Sequence, residues 1–193
     1  QRGHGSTACK ADIEKFCKPK INIDDRGFVF ESFKRDSLND FLGFKVDFCQ
    51  DNILYNKYGV IRALHTNSLN YAQSKLVSVL KGKILDVAVD FRIGSPTFGN
   101  HICIELSCED KKQLFLPRGF LHGFSVLSED AIVNIKIDRY FASGEGIGVR
   151  YDDKYLNINW KIPKHQHILS KADEMLLNFK DVSSPFHYNT ELY

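Results

Sequence analysis

Lys75–Phe91, KLVSVLKGKILDVAVDF, decides the fold class. In its second half Leu85, Val87, Val89 and Phe91 fall on one face of an extended chain, and Asp86 and Asp90 on the other. That is the two-residue period of a strand rather than the 3.6-residue period of a helix. Lys81-Gly82-Lys83 supplies a turn between the two halves, so the stretch reads as a β-hairpin. Working outward, His101–Leu106, Gln113–Leu116, Phe124–Leu127 and Ile132–Phe141 are further short β-type runs, and Gly94–Gly99 is a loop. Upstream, Ile21–Phe33 is extended and turns at Asp25-Arg26-Gly27. Many short strands punctuated by Gly and Pro predict a mainly β sandwich or barrel. Helix is confined to the ends. Asp36 or Ser37 caps a short helix through Leu42 that stops at Gly43, and Ser170–Phe179 (SKADEMLLNF) is helical again.

The chain has 193 residues, 43% hydrophobic and 26% charged, which suits one domain, 9–193. Residues 1–8 (QRGHGSTA) read as a flexible arm or a non-native remnant. No apolar run approaches the ~20 residues of a spanning helix, so no membrane is expected. A net charge of +2 is too balanced for a nucleic-acid binder, although a small anionic ligand fits. The cysteines (Cys9, Cys17, Cys49, Cys103, Cys108) are odd in number and lack a C-x-x-C pair, which argues against disulfides and structural zinc. With no signal-peptide pattern, the expected compartment is the reducing cytoplasm.

Two histidines stand in β context. His65 closes Arg62-Ala-Leu-His65, and His122 lies in PRGFLHG, the P-x-G-x-x-H arrangement of many cupin-class jelly rolls. A catalytic metal wants about three His or carboxylate ligands. His65 is followed by Asn67 rather than a second His, and the next Glu is Glu105, so no metal is expected. Without one, His65 and His122 offer neutral bases, and Arg62 and Lys75 can hold a phosphate or an oxyanion. Gln50 and Asn52 add polar lining. This is the minimum kit for removing a proton α to a carbonyl, and it suits simple anion binding as well.

From about Ile21 to Asp181 the chain resembles the dTDP-4-dehydrorhamnose 3,5-epimerase family, cofactor-free cupins that epimerise nucleotide-linked 4-keto sugars. The segments that carry the resemblance are DDRGFVFESF (24–33), VIRALH (60–65), AQSKLVSVLKGKILDVAVDFRIGSPTFG (72–99), LPRGFLHGFSVLS (116–128), RYDDKYLNINW (150–160) and ILSKAD (168–173), in the family's order. The resemblance implies a cupin-type jelly-roll barrel with short helices near the N-terminus and at the C-terminus, and no cofactor. It implies that His65, a buried imidazole, is the general base and Asp173 the carboxylate paired with it. Lys75 and Arg62 are implied at the 4-keto oxygen and the diphosphate, and His122 as a sugar or phosphate contact. Gln50 and Asn52 are implied on the nucleotide side, with Phe141 stacking on the base. Arg26 and Glu31 are implied as nucleotide contacts donated by a neighbouring subunit, hence a homodimer. The resemblance also implies a product destined for a surface polysaccharide pathway.

Departures from the family pattern are informative. The tyrosine that acts as acid in the family maps to Ile135, which has no proton to give. Tyr140 lies five residues on, an odd spacing that puts it on the opposite face of a regular strand. Ala63 replaces a glycine, and the basic residue near Asp173 has moved to Lys171, before Ala172. Loss of the tyrosine points either to a second proton from water or another side chain, or to inversion at C3 alone with C5 left open, on a substrate of the dTDP-4-keto-6-deoxyhexose or GDP-4-keto-heptose type. The rivals are a 3,4-ketoisomerase and a degenerate cupin that binds a sugar nucleotide without turnover. Plainer roles also stand: Ser170-x-x-Asp173 is a capping box, and Lys75 at a strand start suits an edge lysine.

Overall fold

The computed structural model describes residues 16, 17 and 19–193, so the arm expected at 1–8 and Cys9 lie outside them. The strands are β1 (Phe16–Cys17), β2 (Ile21–Asp24), β3 (Gly27–Phe30), β4 (Gln50–Lys57), β5 (Ile61–Asn67) and β6 (Lys75–Lys81). They continue as β7 (Lys83–Asp90), β8 (His101–Ser107), β9 (Gln113–Leu116), β10 (Phe120–Val126), β11 (Asp130–Ile137) and β12 (Gly146–Gly148). Helices α1 (Arg35–Leu42) and α2 (Lys171–Glu174) lie near the two ends. One five-stranded sheet runs β1-β9-β6-β11-β4, a second runs β12-β5-β10-β7-β8, and β2-β3 is a separate hairpin. The two sheets enclose a shared interior of Val77 and Val133 from the first, and Ile84 and Phe124 from the second.

The deciding stretch is strand–turn–strand, but it is not a hairpin. β6 and β7 lie in different sheets and do not pair. Gly82, at φ +77°, turns the chain from one sheet into the other. A turn motif reports a change of direction and carries no information on which strand the next one joins. The alternation in β7 is real, yet both of its faces are covered. Leu85, Val87 and Val89 pack outward on a second cluster with Leu121, Trp160 and Phe186. Ile84 and Ala88 face the interior, and Asp86 between them is fully buried there.

Three boundaries move. β10 begins at Phe120 and so includes His122, and β11 ends at Ile137, leaving Tyr140 and Phe141 beyond the sheet. The expected C-terminal helix shrinks to the single turn of α2. After it, Leu177 bridges Val149 and accepts the N–H of Arg150 at 2.9 Å, while Phe179 is buried in the outer cluster. Docking on the second sheet thus overrides helix propensity. Helix α1 starts at Arg35 without a side-chain cap and ends, as expected, before Gly43. Its Leu38 and Leu42 pack on Leu76 and Phe115, covering part of the first sheet's outer face. Among the described residues no helix is long and apolar enough to cross a membrane.

Candidate active site

Arg62 and His65 are an odd number of residues apart, which in a regular strand sends their side chains to opposite faces. β5 is not regular. His65 pairs with His122 and Arg62 with Phe124, so the register slips between them. Ala63 and Leu64 are the extra pair of a bulge, and both enter the outer cluster. Arg62 and His65 consequently share the inner face with their partners. Gly123 stands opposite the bulge, where a Cβ would come within 2.6 Å of the Arg62 carbonyl oxygen and 2.9 Å of Ala63 Cα.

His65 Nε2 lies 2.8 Å from Asp173 Oδ1. The imidazole is not buried as expected: its side chain is 43% exposed, while Asp173 is 10% exposed. Asp173 fills both expected roles. Its backbone N–H donates to Ser170 Oγ at 3.1 Å, capping α2, and its carboxylate turns to the imidazole. Arg62 Nε donates to Asn56 Oδ1 at 2.7 Å. Arg62, Asn56, Ser170 and Asp173 line a cavity of about 380 Å³ beside the dyad.

Deeper in, Lys75 is no edge lysine. β6 is the middle strand of its sheet, and Lys75 faces inward in line with Val77 and Val79. Its Nζ reaches to 3.5 Å from the His65 carbonyl oxygen. Burial lowers its pKa to about 8, against the opposing charge of Asp86. His122, 5% exposed, holds its Nε2 3.0 Å from Asp86 Oδ2. Burial depresses the His122 pKa, again opposed by Asp86, so the neutral ring donates its Nε2–H to the carboxylate. Asp86 Oδ1 has no hydrogen-bond partner. Asp86 and Asn56 were not among the sequence candidates. The signal for Asp86 was a carboxylate inside an otherwise apolar β run.

On β4, Gln50 Nε2 donates to Asn52 Oδ1 at 2.9 Å, and Gln50 Oε1 accepts the Phe141 N–H at 3.1 Å. Phe141 itself is 66% exposed beyond the end of β11. Ile135 packs against the interior, in register with Asn52 on one side and Val77 on the other. Arg26 and Glu31 do not join this group within one chain. Arg26 is at the hairpin tip, paired with Asp24 at 2.6 Å. Glu31 lines a separate cavity of about 660 Å³ with Lys34, Leu38 and Leu76, on the outer side of the first sheet.

Two facing antiparallel sheets with inward-directed polar groups make this a cupin-type jelly roll. A half-exposed imidazole–carboxylate pair and a buried ammonium equip it for proton transfer. Residues 13–181 match the family model described as dTDP-4-dehydrorhamnose 3,5-epimerase. The chain is 42% identical to the dTDP-4-dehydrorhamnose 3,5-epimerase of Shigella flexneri over 156 residues, 81% of this chain and 85% of that one. It superposes on the Legionella pneumophila dTDP-6-deoxy-D-glucose-3,5-epimerase, solved with dTDP-4-keto-L-rhamnose, with a TM-score of 0.86 at 39% identity, covering 91% of this chain and 93% of the other. ChmJ, a 3′-monoepimerase from Streptomyces bikiniensis solved with dTDP-quinovose, is 29% identical with a TM-score of 0.78, covering 84% and 82%. The chain belongs to the dTDP-4-dehydrorhamnose 3,5-epimerase family, and its class of activity is that of an isomerase.

Proposed function

We propose that the protein epimerises a nucleoside-diphospho-4-keto sugar at C3, with His65 as the base. The observation that carries this is the 2.8 Å contact between His65 and Asp173 on the barrel's inner face. A ring that donates Nε2–H to a carboxylate keeps its lone pair on Nδ1 and is stabilised once protonated. The C4 ketone acidifies the neighbouring C–H, and the Lys75 ammonium is suited to the enolate oxygen that forms. Arg62 is assigned to the diphosphate, His122 to holding the polar floor of the pocket. Gln50, Asn52 and Phe141 are assigned to the nucleoside side. Ile135, inward-facing and without a proton, supports inversion at one carbon rather than two.

Arg26, paired with Asp24, and Glu31, in a separate cavity, do not join the group around the chain's own His65. That arrangement supports a homodimer in which each copy completes its neighbour's nucleotide site. The shared interior of the two sheets, among the described residues, supports reading them as one unit. Free thiols at Cys49, Cys103 and Cys108 suit a cytoplasmic setting, and supply of a surface polysaccharide goes with the same proposal.

Incubation of a dTDP-4-keto-6-deoxyhexose with the protein in deuterium oxide tests the chemistry. One deuterium at C3 is expected, and His65→Asn should cut its uptake by about 10²-fold or more. Undiminished exchange in that variant refutes the assignment of the base. Two deuteriums refute single-centre action, and a product with its ketone at C3 identifies a ketoisomerase.

A further inference from the structure

Arg62 is exposed, yet its side chain is fixed from within the barrel. Asn56, on β4 of the first sheet, is 3% exposed and stands opposite Ala131 of the shared interior. From there its Oδ1 accepts the Arg62 Nε–H at 2.7 Å, and the bond ties β4 to β5 across the two sheets. A guanidinium nitrogen can only donate, so the amide must turn its oxygen to Arg62 and its NH2 the other way. That NH2 is buried without a hydrogen-bond partner. An orphaned buried donor is costly and calls for a reason.

The alternatives at position 56 supply one. A small apolar residue would bury no polar atom, but it would leave Nε without its acceptor. An aspartate of the same shape would accept from Nε and bury no N–H, but its charge would cancel that of the guanidinium. Asparagine fixes the group and leaves its charge whole. Among the described residues no carboxylate pairs with Arg62, and none of its η nitrogens has an acceptor. Asp173, which lines the same cavity of about 380 Å³, is turned to His65 instead, and Lys57 adds a second cation to that lining.

Given the assignment of Arg62 to the diphosphate above, we propose that Asn56 is a positioning residue of the diphosphate site. It holds the guanidinium through a neutral acceptor, so that the η N–H donors and an uncompensated positive charge meet the phosphate oxygens of a nucleoside diphosphate.

The test is a double-mutant cycle on dTDP affinity. Arg62→Ala should weaken dTDP binding by about tenfold or more. Asn56→Ala should weaken it by about threefold or more, and should cost nothing further in the Arg62→Ala background, because Asn56 acts through that guanidinium. An equal loss in both backgrounds, or none in either, overturns the proposal. Asn56→Asp covers the case in which the alanine variant does not fold. It keeps an acceptor for Nε but compensates the charge, so dTDP should bind about tenfold more weakly. An affinity within about twofold of the unmodified protein overturns the proposal. With a dTDP-4-keto-6-deoxyhexose the Asn56→Asp loss should fall on KM, and a loss confined to kcat overturns it as well. Arg62→Ala separates the two claims, because unchanged dTDP affinity there removes the diphosphate assignment whatever Asn56 does.

Discussion

Asp86 is a carboxylate with no exposed surface, set between Ile84 and Ala88, with a single hydrogen bond to His122. Burying such a charge is costly unless something else of opposite charge is held by it. Here that partner is the Lys75 ammonium, whose pKa burial lowers and Asp86 raises. In Asp86→Asn burial acts without opposition, so the Lys75 pKa falls further below about 8. The alkaline limb of the inversion rate should then move toward acid by roughly one pH unit, or about 1.4 kcal/mol of lost charge stabilisation. A pH–rate profile of the variant checks this, and an unmoved limb contradicts it. That His65 and Asp173 meet was legible from motifs that run in a family's order. Asp86 was not, since alternation tells which residues share a face and not that both faces are covered. The plainer reading of Lys75 as an edge lysine fails for a related reason: strand order is a long-range property that no local window contains.

At the level of elements, the bulge in β5 is what brings an Arg and a His of odd spacing onto one face. It depends on the absence of a side chain at Gly123. In Gly123→Ala the new methyl meets the Arg62 carbonyl and Ala63 Cα, so β5 must shift away from β10. The expected cost is about 1–3 kcal/mol, as for an overpacked core, read as a lower midpoint in urea at unchanged slope. Substrate KM should rise as well, because Arg62 moves with the bulge. Equal stability and KM would mean that the bulge has another cause. Most strands were readable from their two-residue period, and the hairpin at Asp25-Arg26-Gly27 formed where expected. What failed was the reading of Lys81-Gly82-Lys83 as a hairpin turn and of Ser170–Phe179 as helix. In both cases contacts with a distant sheet decide the outcome.

For the molecule as a whole, the β2-β3 hairpin is the exposed feature. Ile23 is 79% exposed, Val29 68% and Phe28 58%, and Lys111 lies 4.5 Å over the Phe28 ring. A lone two-stranded hairpin is marginal in water, and large apolar side chains on one call for a covering surface. A second copy of the chain is the expected cover. Val29→Glu should weaken self-association at least tenfold by sedimentation, with a parallel fall in nucleotide affinity, since Arg26 and Glu31 travel with the hairpin. A variant that stays equally associated assigns the contact elsewhere. The corner at Gly82 has a wider consequence. It joins the sheet that bears the ammonium to the sheet that bears the imidazole. For the proposed reaction both sheets must meet, so a change at Gly82 that shifts one against the other should silence turnover while leaving every proposed reacting group in the chain.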